Sequence, residues 1–364
     1  MKLLNPGPVT TTEGVQQALL RGDLCHREIE SEQLLRSVQD KLEHVYDHCA
    51  DDYTAVVLTG SGTAAVEAML ASCVGQHDKV LMIANGIYGY RMESILKRHA
   101  KRYELLDFGL TGAIDFIEVE EKLRHGEFTQ IAFVHNETTV GRLNNIDHIL
   151  GLCDEYGVQL LVDGVSSFAG EAIDFSSPAL LAVAGTANKC VHGFPGISFV
   201  LVRTDVLLVM EGNAVSLYLD LFNHWKSQQH GKVAFTPAVQ ILYALDQALD
   251  ELANQGGWSA RQQRYLQLST LLREKYRQQG VDLIISENEC ASMLSAFRLP
   301  DGSDFTALHK YYKENGYVIY PGQLNLGESI FRIAVMGDLG VEDVEKLTTL
   351  MEAYLQLGCV FNES

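Results

Sequence analysis

Residues 158–170 read VQLLVDGVSSFAG and residues 180–196 read LLAVAGTANKCVHGFPG, and these two stretches decide the fold. Each starts as a short apolar run of the kind that fills a strand buried on both faces, then turns small and polar. The first run ends in Asp163, followed by Gly164, Val165, Ser166 and Ser167; the second passes through Gly185, Thr186, Ala187 and Asn188 to Lys189. An isolated lysine past a strand is ordinarily a solvated charge, and a strand-end aspartate is ordinarily a cap or turn former. Side by side on the loops of one parallel sheet, they supply an amine to form a Schiff base and a carboxylate to keep a pyridine nitrogen protonated.

Working outward, residues 54–59, 79–84, 130–135 and 198–203 repeat the short apolar pattern, while residues 63–74 and 146–156 carry helical spacing between them. Strands that alternate with helices predict an α/β fold: a mostly parallel sheet with helices on both faces, whose ligands sit beyond the carboxyl ends of the strands. Residues 237–256 read as one long helix closed by the Gly256, Gly257 pair. A helix over 259–279 is followed by a change of texture, with strands at 293–298, 317–320 and 330–335 and helices at 304–315 and 341–357. That order predicts a smaller α+β C-terminal domain. The division expected is an N-terminal arm over 1–14, a large domain over 15–256 and a small domain over 257–364.

The chain has 364 residues and a net charge of -19, without a Lys/Arg run, which argues against nucleic acid or an anionic membrane as partner. No segment reaches the roughly eighteen unbroken apolar residues of a membrane span, and residues 1–8 carry no charged-then-apolar signal. The seven cysteines are scattered and never in CxxC spacing, so neither a disulfide framework nor a metal site is expected. A cytoplasmic protein with reduced thiols fits this composition.

Four further motifs carry chemistry. Thr59, Gly60, Ser61, Gly62, Thr63 and Ala64 follow a strand and open an Ala-rich helix, where free amides, hydroxyls and the helix dipole suit a phosphate. The lysine of a nucleotide-binding P-loop is absent from it. Tyr88, between Gly86 and Gly89, offers a ring to stack on a flat cofactor. In His135, Asn136, Glu137, Thr138, Thr139, the polar groups are more than the next helix needs for capping, since residues 144–147 can cap it; Thr138 or Thr139 is then free to bond a ligand hydroxyl. In Ile330, Phe331, Arg332, Ile333, Ala334, Val335, alternation puts Arg332 on the face opposite Phe331 and Ile333, where it either forms a structural salt bridge or binds a carboxylate or phosphonate.

These motifs, with NPGPVT at 5–10, VDGVSSFAG at 162–170, ANKCVHGFPG at 187–196 and YPG at 320–322, occur in one fixed order. In that order the chain resembles, nearly end to end, the class V aminotransferases, pyridoxal phosphate enzymes of fold type I. The resemblance implies that Lys189 forms the Schiff base with pyridoxal 5′-phosphate and shuttles the proton, that Asp163 pairs with the ring nitrogen, and that Val165 packs on the ring face opposite Tyr88. It further implies that Thr138 bonds the phenolic oxygen, that Ser61, Gly62, Thr63 and Asn188 hold the phosphate, and that Arg332 binds the substrate's anionic group. Thr236 matches a residue that reaches the phosphate of a neighbouring subunit, which implies a homodimer with its sites at the interface. The substrates implied are a small amino donor, preferably an aminophosphonate, and a 2-oxo acid, preferably pyruvate; alanine:glyoxylate or serine:pyruvate exchange is the alternative. A lyase or cysteine desulfurase would need a mobile, exposed thiol, whereas Cys190, Cys290 and Cys359 fall in segments that read as structured. The chain departs from the pattern at residues 24–30 (LCHREIE), at Gln323 where a lysine is expected, and downstream of Thr236, differences that bear on substrate rather than cofactor. His26 and Arg27 read as a charged turn with an anion-binding role as the alternative.

Overall fold

Seven strands form the central sheet, in the order Tyr53–Gly60, Gly196–Arg203, Leu180–Thr186, Gln159–Asp163, Gln130–Val134, Val80–Ala84, Tyr103–Asp107. The computed structural model describes residues 1–361, the side chains of residue 325 and of residues 358–361 excepted, so the thiol of Cys359 and residues 362–364 of the expected small domain lie outside the described set. Gly196–Arg203 runs antiparallel to both of its neighbours, and the other pairings are parallel. Every residue of Val80–Ala84, Gln130–Val134 and Leu180–Thr186 is buried, as strands covered on both faces must be.

The alternation of side chains along these strands divides the interior into two cores. Val80, Met82 and Ala132 pack with helices Gly62–Cys73 and Ile87–Arg98 on one face, whereas Leu81, Ile83 and Ile131 pack with Ile29–Glu43, Ile146–Tyr156 and Val239–Asn254 on the other. The edge strand Tyr103–Asp107 was not foreseen from the sequence. Its YELLD carries charge at two of five positions and is only half-buried, so it lacks the apolar run by which its neighbours are found.

Beyond helix Gly257–Gln278, a three-stranded antiparallel sheet forms in the order Leu294–Arg298, Ile330–Ala334, Tyr320–Pro321, flanked by helices Phe305–Glu314 and Val341–Phe361. The single strand expected over 317–320 is in fact two. Tyr320–Pro321 joins that sheet, and Tyr317–Val318 pairs in parallel with Lys2–Leu3 of the arm. Leu4 O also accepts the Ala334 N–H at 2.7 Å, and Lys2 Nζ meets Asp343 at 2.8 Å. The arm is thus laid along the small sheet before the chain enters the large one. No helix among the described residues is long and apolar enough to cross a membrane.

Candidate active site

Tyr53–Gly60 turns at Ser61 into helix Gly62–Cys73, and the Ser61 side chain makes no capping bond, so the first amides of the helix are left for a ligand. A Cβ on Gly62 would lie 2.7 Å from Val165 Cγ1, so the loop's close approach to the strand-end segment after Asp163 requires glycine. Ser61, Gly62 and Thr63 line a cavity of about 530 Å³ together with Tyr88, Asp163, Val165, Asn188 and Lys189. Eight residues expected from sequence are therefore brought around one space, and Arg91 joins them.

Tyr88 stands in the first turn of helix Ile87–Arg98, whose N-terminus is capped from another strand end. Glu137 accepts the Tyr88 and Gly89 amides at 3.1 and 3.3 Å; Thr139 Oγ1 accepts the Ile87 amide at 3.0 Å and donates to Glu137 at 2.6 Å. Thr139 is accordingly not free for a ligand, a correction to the sequence expectation, and only Thr138 remains for that role. The surplus of polar groups was real, but it caps a helix some fifty residues earlier in the chain. Burial raises the pKa of Glu137, with the Thr139 and Gly89 donors acting in opposition.

Asp163 ends its strand and accepts the Val165 amide at 3.0 Å. Burial pushes its carboxyl up to about 6, against the lowering effects of that amide, Arg91 and Lys189. Lys189 moves the other way, lowered to about 8 chiefly because its amine is desolvated, with Arg332 and Arg91 adding repulsion and Cys190 and Asp163 opposing. Its Nζ donates to the Pro6 carbonyl, and a Cβ on Gly7 would meet the lysine side chain at 2.5 to 2.8 Å, so the arm closes one side of the amine. The loop beyond is anchored to the C-terminal elements. Arg261 Nη1 donates to Cys190 O at 2.6 Å, and His192 Nε2 accepts from Tyr265 Oη at 2.5 Å and the Gly337 amide at 2.9 Å.

Arg332 projects from the small sheet. Its Nε donates to Pro321 O at 2.9 Å and its Nη1 to Thr138 O at 2.7 Å, and it is 1% exposed. Among the described residues no carboxylate lies within 4.0 Å of it. The structural salt bridge is therefore not what holds it. A buried guanidinium satisfied only by carbonyls keeps an uncompensated charge, which suits an incoming anion.

Thr236 is exposed and is not among the residues lining the Lys189 cavity; it lines another of about 960 Å³ with His26 and Arg27. Gln323 carries a buried Oε1 without a partner among the described residues. The thiols do not suit desulfurase chemistry: Cys190 is buried with its pKa pushed up to about 12 by desolvation, and burial raises that of Cys290 as well. Sequence reasoning missed Arg91, Glu137 and the Pro6–Gly7 contact. For Arg91 a signal existed, since it falls three residues after Tyr88 on a helix and therefore shares its face.

A family model described as aminotransferase class-V matches residues 17–326. A 2-aminoethylphosphonate–pyruvate transaminase of Phocaeicola vulgatus is 35% identical over 95% of this chain and 96% of its own length. One of Bacillus cereus is 36% identical over 98% of each. Among solved structures, an alanine–glyoxylate aminotransferase of Nostoc sp. superposes with a TM-score of 0.90 over 97% of this chain and 94% of its own, at 24% identity, a likeness of fold alone. The chain belongs to the class V aminotransferases. It is a transaminase of fold type I, and its cofactor is pyridoxal 5′-phosphate. The site fits that group: uncapped amides and hydroxyls at Ser61–Thr63 for the phosphate, a buried carboxylate at Asp163, and an amine of lowered basicity at Lys189, all lining one cavity.

Proposed function

We propose that this aminotransferase moves the amino group of 2-aminoethylphosphonate to pyruvate, yielding phosphonoacetaldehyde and alanine in a ping-pong cycle. The names of its relatives at 34–36% identity support the substrate pair, and one observation carries it to the site: Arg332, buried and bonded only to carbonyls, offers a charge for a phosphonate or carboxylate. Pyridoxal 5′-phosphate, when bound, supplies an aldehyde for amine condensation and a ring that accepts electrons. Lys189 takes and returns the substrate's proton, and a pKa near 8 lets Nζ do both at neutral pH. Asp163 would hold the ring nitrogen, Tyr88 and Val165 would pack against the ring, Thr138 would bond the phenolic oxygen, and Ser61, Gly62, Thr63 and Asn188 would take the phosphate.

The working unit in this proposal is a homodimer in the cytoplasm. Thr236 supports it, being exposed in a cavity apart from its own chain's Lys189, where a neighbour's phosphate would be within its province. The division into an arm over 1–14, a large domain over 15–256 and a small domain from 257 is likewise proposed, with the arm serving the small sheet.

Half-reactions followed through the cofactor's absorbance test the substrate. Adding 2-aminoethylphosphonate to the holoenzyme should convert the cofactor to its amine form, and pyruvate should restore it. Conversion by alanine or serine with none by 2-aminoethylphosphonate overturns the assignment. Lys189→Ala should lower turnover by at least roughly 10²-fold, the smaller end of what a positioned proton-transfer group contributes; activity that survives unchanged removes Lys189 from the mechanism.

A further inference from the structure

Arg91 belongs to no role assigned above, yet it lines the Lys189 cavity. Its Cζ stands 4.6 Å from the centroid of the Tyr88 ring, and its Nη1 donates to Thr63 Oγ1 at 3.1 Å. The guanidinium thus joins two helices, Ile87–Arg98 and Gly62–Cys73, whose N-termini face the same space. Among the described residues it has no carboxylate within 4.0 Å, and the acid that feels its charge across the cavity is Asp163.

The bond to Thr63 has a chemical consequence. A hydroxyl offers one proton and two lone pairs, and it serves as donor or acceptor according to its neighbours. With a guanidinium N–H on one lone pair, the Thr63 proton is released for an acceptor in the cavity, and the nearby positive charge makes that O–H a stronger donor. The Tyr88 ring fixes where the guanidinium can sit, since a cation over an aromatic face is held there. An arginine so placed selects an anion at Thr63 over water.

We infer that Arg91 is a positioning residue for the cofactor's phosphate: it sets the Thr63 hydroxyl as a donor to the phosphate and supplies the charge that favours a dianion there. This rests on pyridoxal 5′-phosphate as cofactor, and the experiment separates the two. Apoprotein is titrated with pyridoxal 5′-phosphate and, in parallel, with phosphate-free pyridoxal, both followed by absorbance. Wild type that binds neither aldehyde sinks the cofactor assignment itself. With wild type binding both, Arg91→Met should weaken the phosphorylated aldehyde by roughly 10- to 100-fold, the range of a lost charge-assisted hydrogen bond, and leave pyridoxal unchanged. Arg91→Lys should recover part of the loss, and Thr63→Val should show the same phosphate selectivity in a second protein, should Arg91→Met fold poorly. Once Thr63→Val is present, adding Arg91→Met should cost less than it does alone. Equal weakening of both aldehydes overturns the inference. So does unchanged affinity for pyridoxal 5′-phosphate with a loss of turnover, which would place Arg91 at the substrate or at Asp163 instead.

Discussion

Arg91 and Arg332 are two guanidiniums that both act on the Lys189 amine, and they are held in opposite ways. Arg91 is bonded within the large layer, helix to helix, through a hydroxyl and an aromatic ring. Arg332 stands on the small sheet and reaches across to Thr138 O at the end of a large-sheet connection, so one guanidinium spans the two. Movement of the small sheet against the large would displace Arg332 and leave Arg91 where it is. A group that stays bound through every turnover is best served by the first arrangement, and a substrate that enters and leaves twice per cycle by the second.

The largest effect that sharpens this contrast is expected at Arg332. Arg332→Gln should lower kcat/KM for the amino donor by roughly 10²- to 10³-fold, the usual cost of truncating one partner of a buried charge pair, with cofactor affinity unchanged. Arg332→Lys should recover little, because an ammonium cannot replace two parallel N–H donors and also satisfy Pro321 O and Thr138 O. Steady-state kinetics beside an apoprotein titration checks both. A loss of cofactor affinity as large as the kinetic loss breaks the division of labour between the two arginines.

A smaller effect is expected at the fixed end. Gly62→Ala places a methyl 2.7 Å from Val165 Cγ1, and overpacking of this kind costs about 1–3 kcal/mol. The urea midpoint of the apoprotein should fall, and affinity for pyridoxal 5′-phosphate should fall with it as the phosphate loop is pushed away from Val165. An apoprotein midpoint equal to that of the parent would mean that the loop has room to move, and the large-layer site would then be less rigid than the contrast requires.

The parts of this site that were legible in the sequence are those whose meaning is local. Asp163 and Lys189 end apolar runs, Ser61–Thr63 open a helix after a strand, and Arg332 alternates with Phe331 and Ile333; period and turn chemistry suffice for each. Thr139 was legible only as a polar surplus. Its partner, the N-terminus of helix Ile87–Arg98, is about fifty residues away in sequence and adjacent in space only because Val80–Ala84 and Gln130–Val134 pair in the sheet. Arg91 shares the Tyr88 face by helical spacing, but its bond to Thr63 was hidden for the same reason as that of Thr139, since it depends on two helices packing side by side. The strand within the arm escaped because two residues, Lys2 and Leu3, are too few to show a strand period, and their partners, Tyr317 and Val318, lie near the other end of the sequence.

Two buried histidines extend the comparison to the joint between the layers. His192 tethers the Lys189 loop to Gly337 and Tyr265, while His135 lies within the large layer, where its amide donates to Asp163 O at 3.1 Å. Desolvation lowers both pKa values, that of His135 to about 3. A histidine more acidic in the fold than in the unfolded chain takes its proton first in the unfolded chain. Its stabilising contribution is full above pH 6.5 and is lost progressively as pH falls toward 3. For His135 alone the loss at pH 6 is about 1 kcal/mol, and His192 and His224 act in the same direction. The histidine contribution to the urea midpoint should therefore drop between pH 7.5 and pH 6, against a smaller gain as Asp163 begins to take its proton, and His135→Gln should make the net drop shallower without abolishing the histidine contribution, because His192 and His224 remain. A drop of equal size in the variant would mean that His135 takes its proton as readily in the fold as in the unfolded chain, and the pH dependence would then belong to His192 and His224.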